Sequence, residues 1–224
     1  MLEHTITIPQ RAPRAKRRSR AWLAAAALLA LAGIGLWQAN ATQVADLGSV
    51  QQMHGHGVYS ALDNDEVIVL VRHAERCDRS NHACLNDPAG ITREGSQAAA
   101  AVGDGLRRLG LAGADTLASP EVRTQQTAAF VFGKPIETQD WLARCDDTFA
   151  RAALAHKREG HNLVLVTHSG CIDHLERQLG VAGGDRSPGY ASALFIRKGS
   201  NGKAELLGQL NPNQWQALLS QTGK

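Results

Sequence analysis

Two uninterrupted apolar runs, "VIVLV" at 67–71 and "LVLV" at 163–166, constrain this chain more than any other feature of it. Both are rich in β-branched residues and neither alternates with polar ones, so each reads as a strand covered on both faces. Such strands need helices above and below, and the intervening segments supply them. Thr92 reads as the N-cap of a helix running to Leu109, with Ala98, Val102, Leu106 and Leu109 on one face and Gly110 ending it. "DTLAS" (115–119) is a short strand, and Ser119 with Pro120 at the first helical position opens the next helix. "DDTFARAALAHKREG" reads as a helix closed by Gly160 and "GCIDHLERQLG" as one ended by Gly180. "SALFIRK" and "AELLGQL" flank "GSNG" as a hairpin. This alternation predicts an α/β domain, a three-layer sandwich with a mostly parallel central sheet.

The charge that follows the buried runs is what needs explaining. The first run meets Arg72, His73, Glu75, Arg76 and Asp78; the second meets Thr167, His168, Ser169 and Gly170. Ligands of open α/β sheets sit at the carboxyl ends of the strands. If the two strands are neighbours, His73, His168 and Arg72 face one crevice, and the helix after Pro120 adds Arg123 from its first turn. Two guanidinium forks with two imidazoles suit a dianionic tetrahedral oxyanion such as phosphate, and helix N-termini at Pro120 and Gly170 share that preference. An imidazole can attack phosphorus to give a phosphohistidine that water hydrolyses, while the cations hold the equatorial oxygens; the arrangement calls for no metal and no cofactor. A single His after a strand, or a single Arg at a helix start, is ordinarily a satisfied or solvated loop residue. The pairing of Arg-His at one strand end with Thr-His-Ser-Gly at another is the specific signal.

"LVRHAE", "SPEVRTQQTA" and "LVLVTHSG" together resemble the motifs of the histidine phosphatase superfamily, in its phosphoglycerate-mutase-like branch, and "ITREGSQA" resembles a further segment of that family. The resemblance covers about residues 66–200. It implies that His73 is the nucleophile, that Arg72 and Arg123 hold the phosphate oxygens, and that His168 is the second imidazole. The family often places a general acid, a Glu in a segment resembling L-x-E, after the Arg-bearing helix, whereas "WLARCDDTF" holds no Glu. Asp146 is the first candidate, Asp147 the second and Asp140 the third; Asp146 and Asp147 read equally as the solvated start of the next helix. Glu75 and Arg76 are candidates for contact with the substrate beyond its phosphate. "RHAERCDRS" and the Cys three residues after His168 carry a narrower resemblance, to the heptose-phosphate phosphatases of the lipopolysaccharide core. That resemblance implies a phosphorylated envelope sugar or glycolipid as substrate.

Charge distribution bears on partners and address. The first twenty residues carry Arg11, Arg14, Lys16, Arg17, Arg18 and Arg20 against Glu3 alone; of the chain's 24 basic and 21 acidic residues this leaves 18 and 20, or −2. A near-neutral remainder lacks the footprint of a phosphate-backbone binder, so nucleic acid is not expected as a partner. "AWLAAAALLALAGIGLW" (21–37) follows without a charge. Its 17 residues would span roughly 25 Å as a helix, against ~30 Å for a hydrocarbon core. A basic flank before an apolar run places residues 1–20 in the cytoplasm and the rest across the membrane. Two versions stay open: a transmembrane anchor, or the h-region of a signal peptide cut after Ala39-Asn40-Ala41. Residues 38–64 read as a linker, including "HGHG" at 54–57, and residues 65–224 as the phosphatase domain. A tether of ~25 residues would let that domain sample a membrane surface.

Export to the periplasm makes the four cysteines an even set for two disulfides, with three possible connectivities. The favoured one is Cys77–Cys84, closing a short loop beside the charged stretch, and Cys145–Cys171, joining distant segments; C-x-x-C zinc spacing is absent. The expected function is an exported phosphomonoesterase working through phosphohistidine. The alternatives are a broad-specificity periplasmic phosphatase of small esters or phosphoproteins, and a catalytically weak module that binds phosphorylated glycan.

Overall fold

The computed structural model describes residues 22–23, 26–29, 42–186 and 188–222. The domain beginning at Thr42 is built on a five-stranded sheet in the order β2-β3-β1-β4-β5. β1 (Val67–Arg72), β2 (Asp115–Ala118) and β3 (Leu163–Thr167) are parallel, whereas β4 (Ala193–Lys198) and β5 (Ala204–Leu210) form the antiparallel hairpin at one edge. The sequence placed all five within a residue or so, because uninterrupted apolar runs leave little doubt about which segments are central.

Period-two alternation sorts the core into two layers. Val67, Val69 and Val71 of β1 point to one face, packed with Met53, Val102, Val131 and Trp215; Ile68 and Leu70 point to the other, packed with Phe149, Ile172 and Leu175. The first layer is made by α1 (Val50–Gly55), α2 (Val58–Asp63), α3 (Arg93–Arg108), α4 (Val122–Phe132) and α7 (Gln214–Thr222). The second is made by α5 (Phe149–His156) and α6 (Ser169–Gln178). This is the three-layer sandwich the alternation predicts.

Helix signals hold in part. Thr92 caps α3, its hydroxyl accepting from the Gly95 N–H, and Gly110 follows with φ +84°. α4 starts two residues later than the Ser-Pro pair suggests: Pro120 lies outside it and Glu121 is its N-cap. α5 stops at His156, short of Gly160, because Lys157 turns inward and its ammonium donates to the Asp65 and Arg158 carbonyls. α7 has no counterpart in the sequence reading, although Trp215 and Leu218, one helical turn apart, are both fully buried.

The expected linker over 38–64 is corrected. From Thr42 onward the chain belongs to the domain: Thr42 bridges to Val181, Asp46 bridges to Gln209 beside β5, and Leu47, Met53 and Val58 are fully buried. Apolar residues spaced through a Gly-containing stretch can bury one at a time against an existing sheet edge, which periodicity does not reveal. With this segment folded, the reach expected of a ~25-residue tether is lost. The candidate membrane segment 21–37 lies mostly outside the described residues. Trp22, Leu23, Leu28 and Leu29 are helical and exposed, and no helix among the described residues is long and apolar enough to cross a membrane.

Candidate active site

Strand register assembles the site. Arg72 pairs with Thr167 across β1 and β3, and the next residue on each strand is a histidine; the His73 N–H donates to the Thr167 carbonyl at 2.9 Å. Ala118 pairs with Val166 on the other side of β3, and the Ser119 N–H donates to the Val166 carbonyl at 2.9 Å. Three neighbouring strand ends therefore place His73, His168 and Ser119 side by side. The two imidazole centroids are 5.4 Å apart, edge to face.

Each imidazole is held by the hydrogen bonds it makes. His73 Nδ1 lies 2.8 Å from the Ala74 carbonyl, which accepts only from an N–H, so the proton sits on Nδ1 and the Nε2 lone pair is free. Burial pushes the His73 pKa down to about 3, and His168, Arg123 and Arg72 push it the same way against that Ala74 bond. His73 is therefore neutral at pH 7, the form that can attack phosphorus. His168 accepts at Nδ1 from Arg123 Nη2 at 3.3 Å, which leaves Nε2–H to donate to Ser119 Oγ at 2.8 Å. Burial and then Arg123 lower its pKa to about 4, with Glu121 opposing.

The guanidinium groups frame the imidazoles. Arg72 Nη1 donates to the Pro188 carbonyl at 2.7 Å, and its fork lies 3.9 Å above the Tyr190 ring, which also stands 5.7 Å from the His73 ring. Arg123 Nη1 is ion-paired with the Glu121 carboxylate, whose other oxygen is 3.9 Å from His168 Nε2. Arg72 Nε and Arg123 Nε are buried donors with no partner among the described residues. Buried unpaired donors beside two imidazoles are what an incoming oxyanion would satisfy. The start of α6, with His168 at its N-cap, adds the positive end of a ten-residue helix. Among the described residues, no three His, Cys, Asp or Glu side chains gather closely enough to hold a metal ion. A groove of about 510 Å³ lined by Leu154, Leu179 and Lys203 contains neither histidine.

The structure gives each remaining candidate its own set of partners. Asp146 is exposed and its Oδ1 accepts from both the Thr148 hydroxyl and N–H, at 2.6 and 2.8 Å. Those bonds hold its pKa low and tie it to the start of α5. Asp147 is exposed and 3.5 Å from His174, and Asp140 is an exposed residue of a single-turn helix. None of the three faces the imidazoles through any bond or ion pair described. Glu75 accepts from Ser80, Thr92 and His82, bracing the loop that Cys77–Cys84 closes, so it has little freedom for substrate. Arg76 pairs with Asp78 and interacts electrostatically with Tyr190 and Glu121. Both expected disulfides are formed, Cys77–Cys84 with Cα atoms 5.1 Å apart and Cys145–Cys171 with 4.1 Å.

Three site residues were missed: Ser119, Glu121 and Tyr190. The first two stand inside the quoted "SPEVR", where they read only as helix-start residues. Tyr190 follows a Pro-Gly pair that gives no periodic signal.

Comparison with known proteins agrees with this geometry. Residues 68–143 match the family model of the histidine phosphatase superfamily, branch 1. The lipopolysaccharide core heptose(II)-phosphate phosphatases of Salmonella typhimurium and Salmonella typhi are each 30% identical over 194 residues, spanning 84% of this chain and 90% of theirs. Two solved structures share the fold. The protein histidine phosphatase SixA complexed with tungstate has a TM-score of 0.51 at 18% identity, covering 66% of this chain and 97% of its own. Phosphoserine phosphatase from Entamoeba histolytica has a TM-score of 0.50 at 15% identity, covering 66% and 98%. Extended identity over nine-tenths of a relative's length, joined to the matched motif segment, makes this chain a phosphatase that belongs to the histidine phosphatase superfamily.

Proposed function

We propose that this phosphatase removes the phosphate of a phosphorylated envelope sugar, of the kind its Salmonella relatives are named for, through a phosphohistidine on His73. The observation that carries the reading is the neutral, buried His73 with its proton fixed on Nδ1 and its Nε2 free, 5.4 Å from a second imidazole and framed by two arginines. In this account His73 Nε2 attacks phosphorus, and Arg72 and Arg123 take the equatorial oxygens. His168, oriented by Ser119 and Arg123, stabilises the charge on the transferring group. Strand ends hold both imidazoles by backbone pairing, which serves the geometry of in-line attack. Two disulfides favour an oxidising compartment, and the relatives' lipopolysaccharide substrate favours the envelope.

The test is phosphate release from a panel containing a lipopolysaccharide core oligosaccharide with phosphorylated heptose, simple sugar phosphates, a phosphopeptide and an aryl phosphate. The reading expects the highest kcat/KM on the heptose phosphate. Equal values across the panel would favour a broad-specificity phosphatase. Binding of phosphorylated oligosaccharide without turnover of any ester, aryl phosphate included, would favour the binding module.

A further inference from the structure

We infer that Glu121 is the general acid and base of this phosphatase, and that the substrate phosphate releases it by taking its place on Arg123. The inference rests on the phosphohistidine reading and adds the proton transfer that reading lacks.

Glu121 occupies the N-cap of α4, a position where Ser, Thr, Asp or Asn usually spends its side chain on the helix's own N–H groups. Here the side chain makes no capping bond. The backbone is nonetheless locked, since the Glu121 carbonyl accepts from Thr124 N–H, Gln125 N–H and the Thr124 hydroxyl. A fixed backbone whose carboxylate is not tied to the helix cap suits a group that must swing. One carboxylate oxygen is paired with Arg123 Nη1 and the other stands 3.9 Å from His168 Nε2, while the side chain stays 40% exposed. Arg76 also interacts electrostatically with this carboxylate. None of the three aspartates from the 140–147 segment has a comparable placement.

The Glu121 carboxylate holds the guanidinium that a phosphate would need. A phosphate dianion arriving between Arg72 and Arg123 competes for that fork and displaces it. A carboxylate without its cation and beside a dianion favours its protonated form, because like charges at close range oppose double ionisation. It takes that proton from solvent. His73 Nε2 then gives its lone pair to phosphorus and the P–O ester bond breaks. The departing oxygen keeps the bonding pair and takes the proton from Glu121, leaving as the alcohol. In the second half the Glu121 carboxylate accepts a proton from water, whose oxygen bonds to phosphorus as the N–P bond breaks and returns its pair to His73. Phosphate leaves, Glu121 returns the borrowed proton to solvent, and its carboxylate pairs with Arg123 again.

Leaving-group dependence tests this, because an aryl oxide departs without much help whereas a sugar alkoxide needs its proton. Full-length wild type, Glu121→Gln and Glu121→Asp are compared on p-nitrophenyl phosphate and on a sugar phosphate, with inorganic phosphate as a competitive inhibitor. General acid catalysis contributes roughly 10²–10⁴-fold. The aryl-to-sugar ratio of kcat is therefore expected to rise about 100-fold or more in Glu121→Gln and to recover in part in Glu121→Asp. Inorganic phosphate should inhibit Glu121→Gln at lower concentration, since the displaced competitor is weaker. Loss by the same factor on both esters would overturn the acid role, and so would full activity on the sugar phosphate. Wild type inert toward both esters would instead count against the phosphohistidine reading itself.

Discussion

Removing Cys145–Cys171 is the sharpest test of how this fold supports its chemistry. The bridge joins residues 26 apart, and chain-entropy arithmetic for a loop of that size gives about 12 cal/mol/K, or about 3.5 kcal/mol at 25 °C. The same arithmetic for Cys77–Cys84, 7 residues apart, gives about 2.4 kcal/mol. Cys171 is fully buried in the first turn of α6, three residues after His168, so Cys145→Ala with Cys171→Ala avoids burying a new hydroxyl. Urea unfolding of the oxidised wild type and the double variant reads the effect. With an m-value of about 2 kcal/mol/M the midpoint should fall by about 1.5–2 M, and by less for Cys77→Ala with Cys84→Ala. The segment that Cys145 ties down also supplies the Leu142 carbonyl, which accepts from the Thr167 hydroxyl at 2.7 Å next to His168. Aryl phosphatase kcat should therefore drop along with stability. A midpoint shift under about 0.5 M at constant m, or a larger loss from the shorter loop, would refute the reasoning.

Burial holds His73 near pKa 3 and His168 near 4, below the unfolded value of 6.5, so the unfolded chain binds more protons between those limits. Their contribution to stability is complete above pH 6.5 and declines as pH falls to about 4 for His168 and about 3 for His73; NMR titration of either ring with a midpoint above 6 in the ligand-free protein would contradict this. Glu176 on α6 is fully buried with neither carboxylate oxygen partnered among the described residues, and burial, then Asp173, raises its pKa to about 7 while Arg186 opposes. Its ionisation costs stability as pH rises from 4.5 through 7, so Glu176→Gln should raise Tm at pH 8 and change it little at pH 5. Ser119→Ala removes the acceptor for His168 Nε2–H, a bond worth about 1 kcal/mol, and should lower kcat about 5-fold with KM little changed; an altered KM alone would show that Ser119 serves binding.

What was legible in the sequence follows from what periodicity can carry. The strands at 67–71 and 163–166 had no other reading, and two strand-end histidines could only meet if those strands were adjacent. Strand adjacency is a tertiary fact, supplied by the β1–β3 register. Residues 42–64 misled because Leu47, Met53 and Val58 are buried singly against edges and helices, with no period to announce them. Motif spacing along the chain points to Asp146, whereas the approach of Glu121 to Arg123 and His168 depends on a side chain at an N-cap that makes no capping bond, which no spacing reveals. Tyr190 enters from a loop that faces Arg72 only because β4 runs antiparallel beside β1 and brings its preceding residues to the same end of the sheet.

The central claim is covalent transfer to His73, and one experiment reads it directly. The protein is mixed with an aryl phosphate, quenched in milliseconds, digested and weighed, beside His73→Ala. The account predicts one phosphoryl group on the peptide carrying His73 in the wild type and none in the variant. Phosphate release with no adduct, or an adduct on any other residue, would contradict it.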